Sequence, residues 1–288
     1  MKRILLLGGS GRLGRHVVRA AGLDLGIALQ APTRDELDLS DVTADALRAR
    51  IDSGLFDAVL NCAAAANVDR CETHRSEAER LNAEVPALLA DACEQAGLPF
   101  VHISTDYVFG GSGGGPFDER APPSPAQHYG VTKAAGERAV LACGGRRAVA
   151  RVSWLFDADV SPFRDYVLRE AQTRGEVPVL DQASRPTYLP GLGRWLVDLC
   201  AVMVHGAFVP DVLHPAGGPH ASRTEWARAL LAAHGLDDIP VVPQEPQSLL
   251  AERPQDSRLA TERTDAWIRA TWGVGLPDWR ECLAHRSA

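Results

Sequence analysis

The first fourteen residues constrain the fold more than any other part of this chain. A short apolar run at residues 3–7 leads into the sequence GGSGRLG, which spaces Gly8, Gly11 and Gly14 as GxxGxxG, and a helical pattern of apolar residues follows. In such a unit the first glycine permits a tight turn, the second lets the backbone approach a pyrophosphate, and the third lets the helix pack on the strand. The N-terminus of the helix favours an anion. The unit therefore predicts a dinucleotide-binding site.

The alternation of strand and helix patterns continues beyond this unit. Strands are predicted at residues 27–30, 57–62, 99–104 and 148–153, and helices at 41–51, 76–96 and 126–142. Strands that alternate with helices through short connections are typical of a parallel sheet covered on both faces. We therefore predict an α/β fold, a Rossmann-type doubly wound parallel sheet, with a dinucleotide-binding domain at residues 1–154.

The pattern loosens after about residue 155. Helices are predicted at residues 163–174, 192–204 and 222–234, and the last of these begins with the capping sequence Ser-Arg-Thr-Glu. We expect residues 155–288 to form mainly a smaller C-terminal substrate-binding lobe. Parts of about residues 178–210 are expected to return to the sheet.

Composition and charge exclude several classes of partner. The 288 residues carry a net charge of −7, whereas nucleic-acid-binding surfaces are usually basic. No apolar run approaches the roughly 20 residues of a membrane span. The six cysteines are scattered without metal-type spacing, and the nine histidines form no ligand cluster. We expect a cytoplasmic protein with reduced thiols and no metal, and neither a nucleic-acid nor a membrane partner.

Lysine use singles out one position. Of the 30 basic residues only Lys2 and Lys133 are lysines, and Lys133 lies four positions after Tyr129, on the same face of a predicted helix. A nearby ammonium lowers the pKa of a phenol from its usual value of about 10. Thr105 lies at the end of a predicted strand, where ligands bind. The three side chains predict a carbonyl-reduction site in which Thr105 bonds the substrate oxygen, Tyr129 protonates it, and Lys133 tunes Tyr129 and holds the nicotinamide ribose.

The end of the second strand bears on the choice of cofactor. An acidic residue there would hold the 2′-hydroxyl of NAD, but this chain has Ala-Pro-Thr-Arg at residues 31–34. Arg34, together with Arg12 of the glycine turn, is a candidate for pairing with a 2′-phosphate. Asp38 and Leu39 fall where an adenine-contacting loop is expected. NADP(H) is therefore favoured, and NAD(H) stays open.

Several further motifs lie along the chain. They are NCAA (61–64), VDR (68–70), LNA (81–83), STDYVFGG (104–111), YGVTK (129–133) with AGE (135–137), RVSW (151–154), DQ (181–182) and RPT (185–187). With these motifs the sequence resembles the extended short-chain dehydrogenase/reductase superfamily and, within it, the dTDP-4-dehydrorhamnose reductase family. The combination of STDYVF and YGxTKxxGE carries most of the resemblance.

The resemblance implies a set of site residues. Its catalytic set is Thr105, Tyr129 and Lys133, and its substrate contact is Trp154. Its cofactor contacts are Gly11, Arg12, Leu13, Asp38, Leu39, Ala63 and Ala64, to which the glycine pattern adds Gly8 and Gly14. On the substrate side we add Asp106, without a proton-transfer role, and two candidates for a diphosphate, Arg185 and Arg258. His102 is interpreted as a hydrogen-bonded core residue.

The resemblance also implies the reaction, NAD(P)H-dependent reduction at C4 of a nucleotide-activated 4-keto-6-deoxy sugar, with dTDP as the expected nucleotide. Sugar-nucleotide 4,6-dehydratases need a glutamate after the aspartate, but here Asp106 is followed by Tyr107. Ala65 stands where the family has a histidine, a departure that could reshape the substrate pocket. The alternatives are an epimerase/reductase of the same superfamily and a non-catalytic NADP-binding regulatory subunit. The oligomeric state stays open, with a homodimer as one candidate.

Overall fold

The first half of the chain alternates strands and helices, as the sequence predicts. The computed structural model describes residues 1–24, 26–111, 114–157, 161–244 and 250–283. The strands of the first half are β1 (Lys2–Leu7), β2 (Ile27–Gln30), β3 (Ala58–Asn61), β4 (Phe100–Thr105) and β5 (Arg147–Val152). The helices are α1 (Arg12–Gly22), α2 (Ala44–Ile51), α3 (Val68–Thr73), α4 (Arg75–Glu79), α5 (Val85–Ala96) and α6 (His128–Ala142). The short helix α3 has no counterpart among the predicted elements.

The second half has shorter strands and four further helices among the described residues. The strands are β6 (Leu155–Phe156), β7 (Val177–Val179), β8 (Ala183–Ser184), β9 (Thr187–Tyr188), β10 (Val212–Leu213), β11 (Ala221–Ser222) and β12 (Val241–Pro243). The helices are α7 (Pro162–Arg174), α8 (Leu189–Val204), α9 (Arg223–Ala233) and α10 (Glu262–Trp272). None of the helices in the described ranges combines the length and apolar character needed to cross a membrane.

All six strands of the central sheet run parallel, in the order β10-β5-β4-β3-β1-β2. The order reverses beside β1, which has β2 on one side and β3 on the other. In an open parallel sheet, ligands bind outside the carboxyl ends of the strands at such a switch point. The predicted Rossmann-type α/β fold is therefore confirmed, and the ends of β1, β3 and β4 form its ligand-binding edge.

Helices cover both faces of this sheet. On one face α1 packs against α8, and Leu192 and Leu196 of α8 join Ile4 of β1 in one buried cluster. The two helices approach so closely that a Cβ on Gly193 would lie 2.7 Å from the backbone carbon of His16. The other face is covered by α2, α5 and α6. After leaving the sheet at β5, the chain thus comes back to it with α8 and β10.

The smaller lobe has a core of its own around α7 and α9, with Phe156, Trp226 and Leu230 buried in it. Helix α9 begins with a capping box, as the sequence predicts. The Ser222 hydroxyl accepts the Glu225 N–H at 3.0 Å, and the Glu225 carboxylate accepts the Ser222 N–H at 2.7 Å. Both bonds satisfy N–H groups that a helix start leaves without partners, so the first turn of α9 is held in place.

One predicted helix, at residues 76–96, is not a continuous α-helix. Between α4 and α5 the backbone makes a π-helical turn over Arg80–Glu84. From this turn the Asn82 side chain accepts the Ala65 N–H at 2.9 Å and donates to the Thr132 hydroxyl at 3.1 Å. Turns of this type are frequent at functional sites. Here the turn ties the segment after β3 to α6, the helix that carries Tyr129.

Candidate active site

The glycine turn after β1 leaves no room for a Cβ at Gly8 or Gly14. Gly8 has a φ of +80°, and a Cβ built on it would lie 2.6 Å from the Ala63 backbone nitrogen. A Cβ on Gly14 would meet the Gly8 carbonyl oxygen. Gly11 is the N-cap of α1 and donates its N–H to that carbonyl at 3.0 Å. The turn therefore leads tightly into the N-terminus of α1, the geometry that the GxxGxxG spacing predicts for an anion site.

A cavity of about 230 Å³ extends from this turn past the ends of β2 and β3. It is lined by Gly8, Ser10, Gly11, Pro32, Arg34, Leu37, Asp38, Leu39, Cys62, Ala63, Ala64 and Leu81. The Asp38 carboxylate accepts the N–H and the hydroxyl of Ser40, at 2.9 and 2.7 Å, and these hydrogen bonds keep its pKa below the ordinary value. The cavity thus gathers the residues predicted to hold the adenosine half of the cofactor, and they fit such a group.

A second cavity, of about 350 Å³, continues from the glycine turn along the end of β4. It is lined by Gly11, Arg12, Leu13, Cys62, Ala64, Ala66, Ile103, Ser104, Thr105, Asp106, Tyr129, Lys133, Val152, Ser153, Trp154 and Leu155. The predicted catalytic residues therefore lie together in this second cavity. This arrangement fits a dinucleotide that spans both cavities.

Arg12 lines the second cavity, whereas Arg34 lines the first. The Arg12 guanidinium donates to the Leu155 carbonyl at 2.7 Å. Its Nε–H is buried and has no hydrogen-bond partner among the described residues. The sequence analysis grouped Arg12 and Arg34 at one 2′-phosphate. The structure instead places them in two different cavities. An unpaired N–H beside the N-terminus of α1 instead suits Arg12 to the pyrophosphate.

The pKa of Tyr129 shifts in the opposite direction to the one predicted. Burial raises the pKa of Tyr129 above its ordinary value, and a hydrogen bond with the Thr105 side chain offsets only part of this effect. A buried phenol loses the water that would stabilise its anion, so the protonated form is favoured. The expectation that Lys133 lowers the pKa of Tyr129 is therefore wrong for this structure. Tyr129 holds its proton.

The lowered pKa belongs to Lys133 itself. Its ammonium group is buried, with the side chain 2% exposed, and donates to the Ile103 carbonyl at 2.6 Å. Lys133 Nζ also lies 3.3 Å from His102 Nε2. Burial lowers the pKa of Lys133 to about 8. His102 is a buried, hydrogen-bonded residue, as predicted, and it additionally contacts the lysine of the site.

Asp106 is held by three hydroxyl groups. Its carboxylate accepts hydrogen bonds from Ser257 at 2.6 Å, from Ser184 at 2.8 Å and from Thr105 at 3.1 Å. Burial raises the pKa of Asp106, and the three hydroxyls act against that rise. The carboxylate joins β4 to two segments of the second half of the chain. Its contacts support the interpretation that Asp106 orients its neighbours and transfers no proton.

The comparisons with known proteins agree with this geometry. The family model of the RmlD substrate binding domain matches residues 1–287. A dTDP-4-dehydrorhamnose reductase of Mycolicibacterium smegmatis is 35% identical over 98% of this chain and 84% of its own length. The chain belongs to the dTDP-4-dehydrorhamnose reductase family. A second dTDP-4-dehydrorhamnose reductase, from Streptomyces griseus, is 38% identical over 98% of this chain and 91% of its own length.

Solved structures of the dTDP-4-dehydrorhamnose reductase family have the same fold. The enzyme of Bacillus anthracis, determined in complex with NADP, superposes with a TM-score of 0.83 at 26% identity, over 98% of both chains. The predicted membership of the family and the predicted fold are thereby confirmed.

Trp154, the substrate contact that membership of the family implies, has an unusual backbone. Its φ of 41° is positive, which within the described ranges no other residue except glycine shows. Such strain persists only where the surroundings hold it, and it collects at functional sites. The Trp154 ring stacks on Trp226 with a centroid distance of 5.4 Å, and it lines the cavity of Thr105 and Tyr129.

Arg223, which sequence reasoning missed, packs on the Trp154 ring beside the cavity. Its guanidinium lies 3.9 Å from the Trp154 ring centroid and 4.4 Å from that of Phe163. Burial lowers the pKa of Arg223 to about 10, and the charge of Asp106 acts in the opposite direction. No side-chain hydrogen bond of Arg223 to another described residue is present. In the sequence nothing separates it from the other 27 arginines, because only Trp226 of its three aromatic partners is close to it along the chain.

The two arginines predicted for the diphosphate already have protein partners. Arg185 is buried and donates to the Thr261 hydroxyl at 2.6 Å, while its other terminal nitrogen lies 3.1 Å from His220 Nε2. Arg258 is paired with Asp256 at 2.7 Å. Like Arg223, neither of them lines the cavity of Thr105 and Tyr129. In the described parts of the chain, no group of three or more His, Cys, Asp or Glu side chains is arranged to hold a metal ion.

Proposed function

We propose that this protein is an NAD(P)H-dependent reductase of a dTDP-linked 4-keto-6-deoxy sugar, of the dTDP-4-dehydrorhamnose reductase type. The observation that carries the proposal is the meeting of Thr105, Tyr129 and Lys133 in a cavity that begins at the glycine turn. The names of the relatives support the same substrate class. When bound, NAD(P)H supplies the hydride.

Tyr129 is the proton donor in this proposal. A phenol whose pKa is raised by burial stays protonated at neutral pH, which is the state that a general acid needs. The phenol then transfers its proton to the oxygen of the sugar carbonyl as negative charge develops there. Thr105, which shares a hydrogen bond with Tyr129, turns its hydroxyl hydrogen from Asp106 to the same oxygen. Lys133 holds the nicotinamide ribose and stabilises the tyrosinate once it has formed.

NADP(H) is the cofactor that we favour. Arg34 and Asp38 line one cavity at the end of β2. There the Arg34 guanidinium can pair with a 2′-phosphate, since an arginine fork matches phosphate oxygens. The NADP complex of the Bacillus anthracis relative supports the same choice. Titration of the protein with NADPH and NADH tests it, and binding that is tighter for NADH would contradict it.

For the substrate we propose that Trp154 packs against the sugar nucleotide and that Arg223 pairs with its diphosphate. The Arg223 guanidinium is flanked by aromatic rings, which orient it without using its N–H donors. Arg185 and Arg258 remain candidates from the sequence, but the Arg185 terminal nitrogens and the Arg258 guanidinium already have protein partners, and the buried Arg185 Nε–H is without one among the described residues. A cytoplasmic location and a homodimer complete the proposal.

The deciding experiment measures NADPH oxidation with dTDP-4-keto-6-deoxy-L-mannose, the sugar nucleotide known as dTDP-4-dehydrorhamnose. We expect turnover by the wild type and a loss of about 10²–10⁴-fold in kcat for Tyr129→Phe, with NADPH affinity preserved. Tyr166→Phe is the matched control, because the Tyr166 hydroxyl donates to Pro178 in the smaller lobe. Near-normal kcat in Tyr129→Phe would exclude Tyr129 as the donor. Binding of cofactor without net oxidation would instead favour an epimerase or a regulatory subunit.

A further inference from the structure

Three buried polar side chains form a line behind the proposed proton donor. Asn61 at the end of β3 and His102 of β4 are register partners on adjacent strands, and both are fully buried. Lys133 of α6 completes the line. Polar groups buried this deeply remain stable only when their hydrogen bonds are matched donor to acceptor. The directions of these hydrogen bonds can therefore be worked out.

The orientation of the Asn61 amide is determined by the backbone. Its Oδ1 accepts the Ala63 N–H at 3.0 Å, so its Nδ2 is the atom that lies 3.2 Å from His102 Nδ1. An amide nitrogen only donates, so His102 Nδ1 must accept. A neutral imidazole carries a single N–H, and that proton is therefore on Nε2. Burial lowers the pKa of His102 well below its ordinary value, which keeps the ring neutral.

The Nε2–H of His102 points at Lys133. Nε2 and the lysine Nζ are 3.3 Å apart, while Nζ donates to the Ile103 carbonyl at 2.6 Å. An ammonium has three donors and no acceptor, so a protonated Lys133 would face this N–H donor to donor. An uncharged amine has a lone pair that can accept the same N–H. The geometry thus matches the amine form of the lysine.

We propose that Asn61 and His102 are a positioning pair that holds Lys133 and destabilises its ammonium form through the N–H that faces it, so that this lysine gives up its proton more readily than an ordinary lysine does. The role of this effect in catalysis rests on the proposed reductase activity, in which tyrosinate forms beside Lys133. Neither Asn61 nor His102 touches the reacting atoms in this scheme. They act through the lysine.

The other groups that face Lys133 do not replace this pair. Glu137, one turn further along α6, and Cys62 after β3 act to raise the pKa of Lys133, and burial outweighs both. The Glu137 carboxylate is itself paired with Arg151 at 2.8 Å. Tyr129 lies one turn earlier on α6 and is held in its neutral form. Burial and the His102 N–H thus act in the same direction, toward the amine.

The chain has only two lysines, so the proposal can be tested directly by NMR. The full-length protein is labelled with ¹³Cε,¹⁵Nζ-lysine, and Lys2→Arg identifies the Lys133 signal. We expect Lys133 to titrate near pH 8, well below the ordinary lysine value. In Asn61→Leu, His102 is free to change tautomer and to accept from the ammonium. The Lys133 midpoint should then rise by about one pH unit, the effect of one hydrogen bond. Asn67→Leu, the same change at the exposed cap of α3, should leave the midpoint unchanged.

A second measurement on the wild type needs no substitution in the core. The ¹⁵N shifts of the imidazole rings report the tautomer, and the His102 signals are those lost in His102→Gln. We expect the Nε2–H form. The Nδ1–H form, or an unchanged Lys133 midpoint in folded Asn61→Leu, would overturn the proposal. Because neither readout requires substrate or turnover, a protein without reductase activity would refute the proposed function and leave this inference standing.

Discussion

The hydroxyl of Thr105 donates a 3.1 Å hydrogen bond to the carboxylate of the residue that follows it, Asp106. The Thr105 oxygen also accepts the Tyr107 N–H at 3.2 Å. With its hydrogen committed to Asp106 and one lone pair to the backbone, the remaining lone pair is the one available to the Tyr129 hydroxyl. Asp106 therefore sets the direction in which Thr105 can act.

Asp106→Asn should impair catalysis without emptying the site. An amide retains the shape but loses the charge that the hydroxyls of Thr105, Ser184 and Ser257 bond, and hydrogen bonds to charged groups are worth about 1.5–3 kcal/mol each. We expect kcat to fall by about 10–100-fold, with NADPH affinity little changed. Steady-state kinetics measure this, with the exposed Asp118→Asn as control. A kcat equal to that of the control would show that Asp106 does not orient Thr105.

Gly8→Ala should weaken cofactor binding. A Cβ there would lie 2.6 Å from the Ala63 nitrogen, so the backbone of the glycine turn must move. Gly175→Ala is the matched control, because Gly175 also has a positive φ, of 69°, but a Cβ on it meets no atom within 4 Å. Both variants bear the cost of a left-handed alanine, about 1–2 kcal/mol. Only Gly8→Ala should lose NADPH affinity, by about tenfold or more, in a fluorescence titration. Equal NADPH affinities of the two variants would show that the pyrophosphate does not bind at the glycine turn.

Arg223→Met should raise KM for the sugar nucleotide. The charged hydrogen bonds that we assign to Arg223 and the diphosphate are worth about 1.5–3 kcal/mol, which corresponds to a change of roughly 10–100-fold. The kcat should change much less, because the diphosphate lies away from the carbonyl. Arg258→Met removes an arginine that is paired with Asp256 and should change KM little. A larger rise in KM for Arg258→Met than for Arg223→Met would show that Arg258, and not Arg223, binds the diphosphate.

His214 should make the protein less stable in acid. It is fully buried, its Nδ1 donates to the Ala260 carbonyl at 2.8 Å, and its Nε2 lies 3.4 Å from an Arg151 nitrogen. Burial lowers the pKa of His214 from 6.5 to about 4. Below pH 6.5 the unfolded chain therefore binds a proton that the folded chain does not. The contribution of His214 is complete above that pH and is lost as the pH falls toward 4, by about 1.4 kcal/mol per pH unit.

Denaturant unfolding between pH 7.5 and 5 measures this loss. His214→Gln should flatten the slope of the free energy of unfolding against pH, even though it lowers stability at pH 7.5. His102, whose pKa is also lowered, adds a slope of the same sign that remains in this variant. His205→Gln, at the exposed end of α8, should keep the wild-type slope. Equal slopes in both variants would mean that His214 is charged in the folded protein.

The features in which the structure agrees with the sequence analysis are those determined by local spacing. The glycine turn is specified by residues that are neighbours in the chain, and strands of a parallel sheet end at a common edge. Thr105 and the Tyr129/Lys133 helix therefore meet as expected. The pKa of Tyr129 depends instead on how many distant segments cover it, which spacing does not report, and so its direction was predicted wrongly.

Other features were missed because their causes are tertiary. The π-helical turn at Asn82 inserts one residue into a pattern that otherwise has helical periodicity, so residues 76–96 were predicted as one α-helix. Arg223 owes its position to rings at Trp154 and Phe163, more than fifty residues earlier in the chain. Neither the π-helical turn nor the position of Arg223 can be recognised from composition or periodicity.

Helix α8 has a consequence for protein engineering. It belongs by sequence to the second half of the chain, yet it buries Leu192 and Leu196 against β1 and packs closely on α1. In a chimera joined at residue 154, the helix that covers one face of the nucleotide-binding sheet would therefore come from the other protein. Grafting a new specificity onto this scaffold should keep α8 and β10 with their host and exchange only the segments on either side of them.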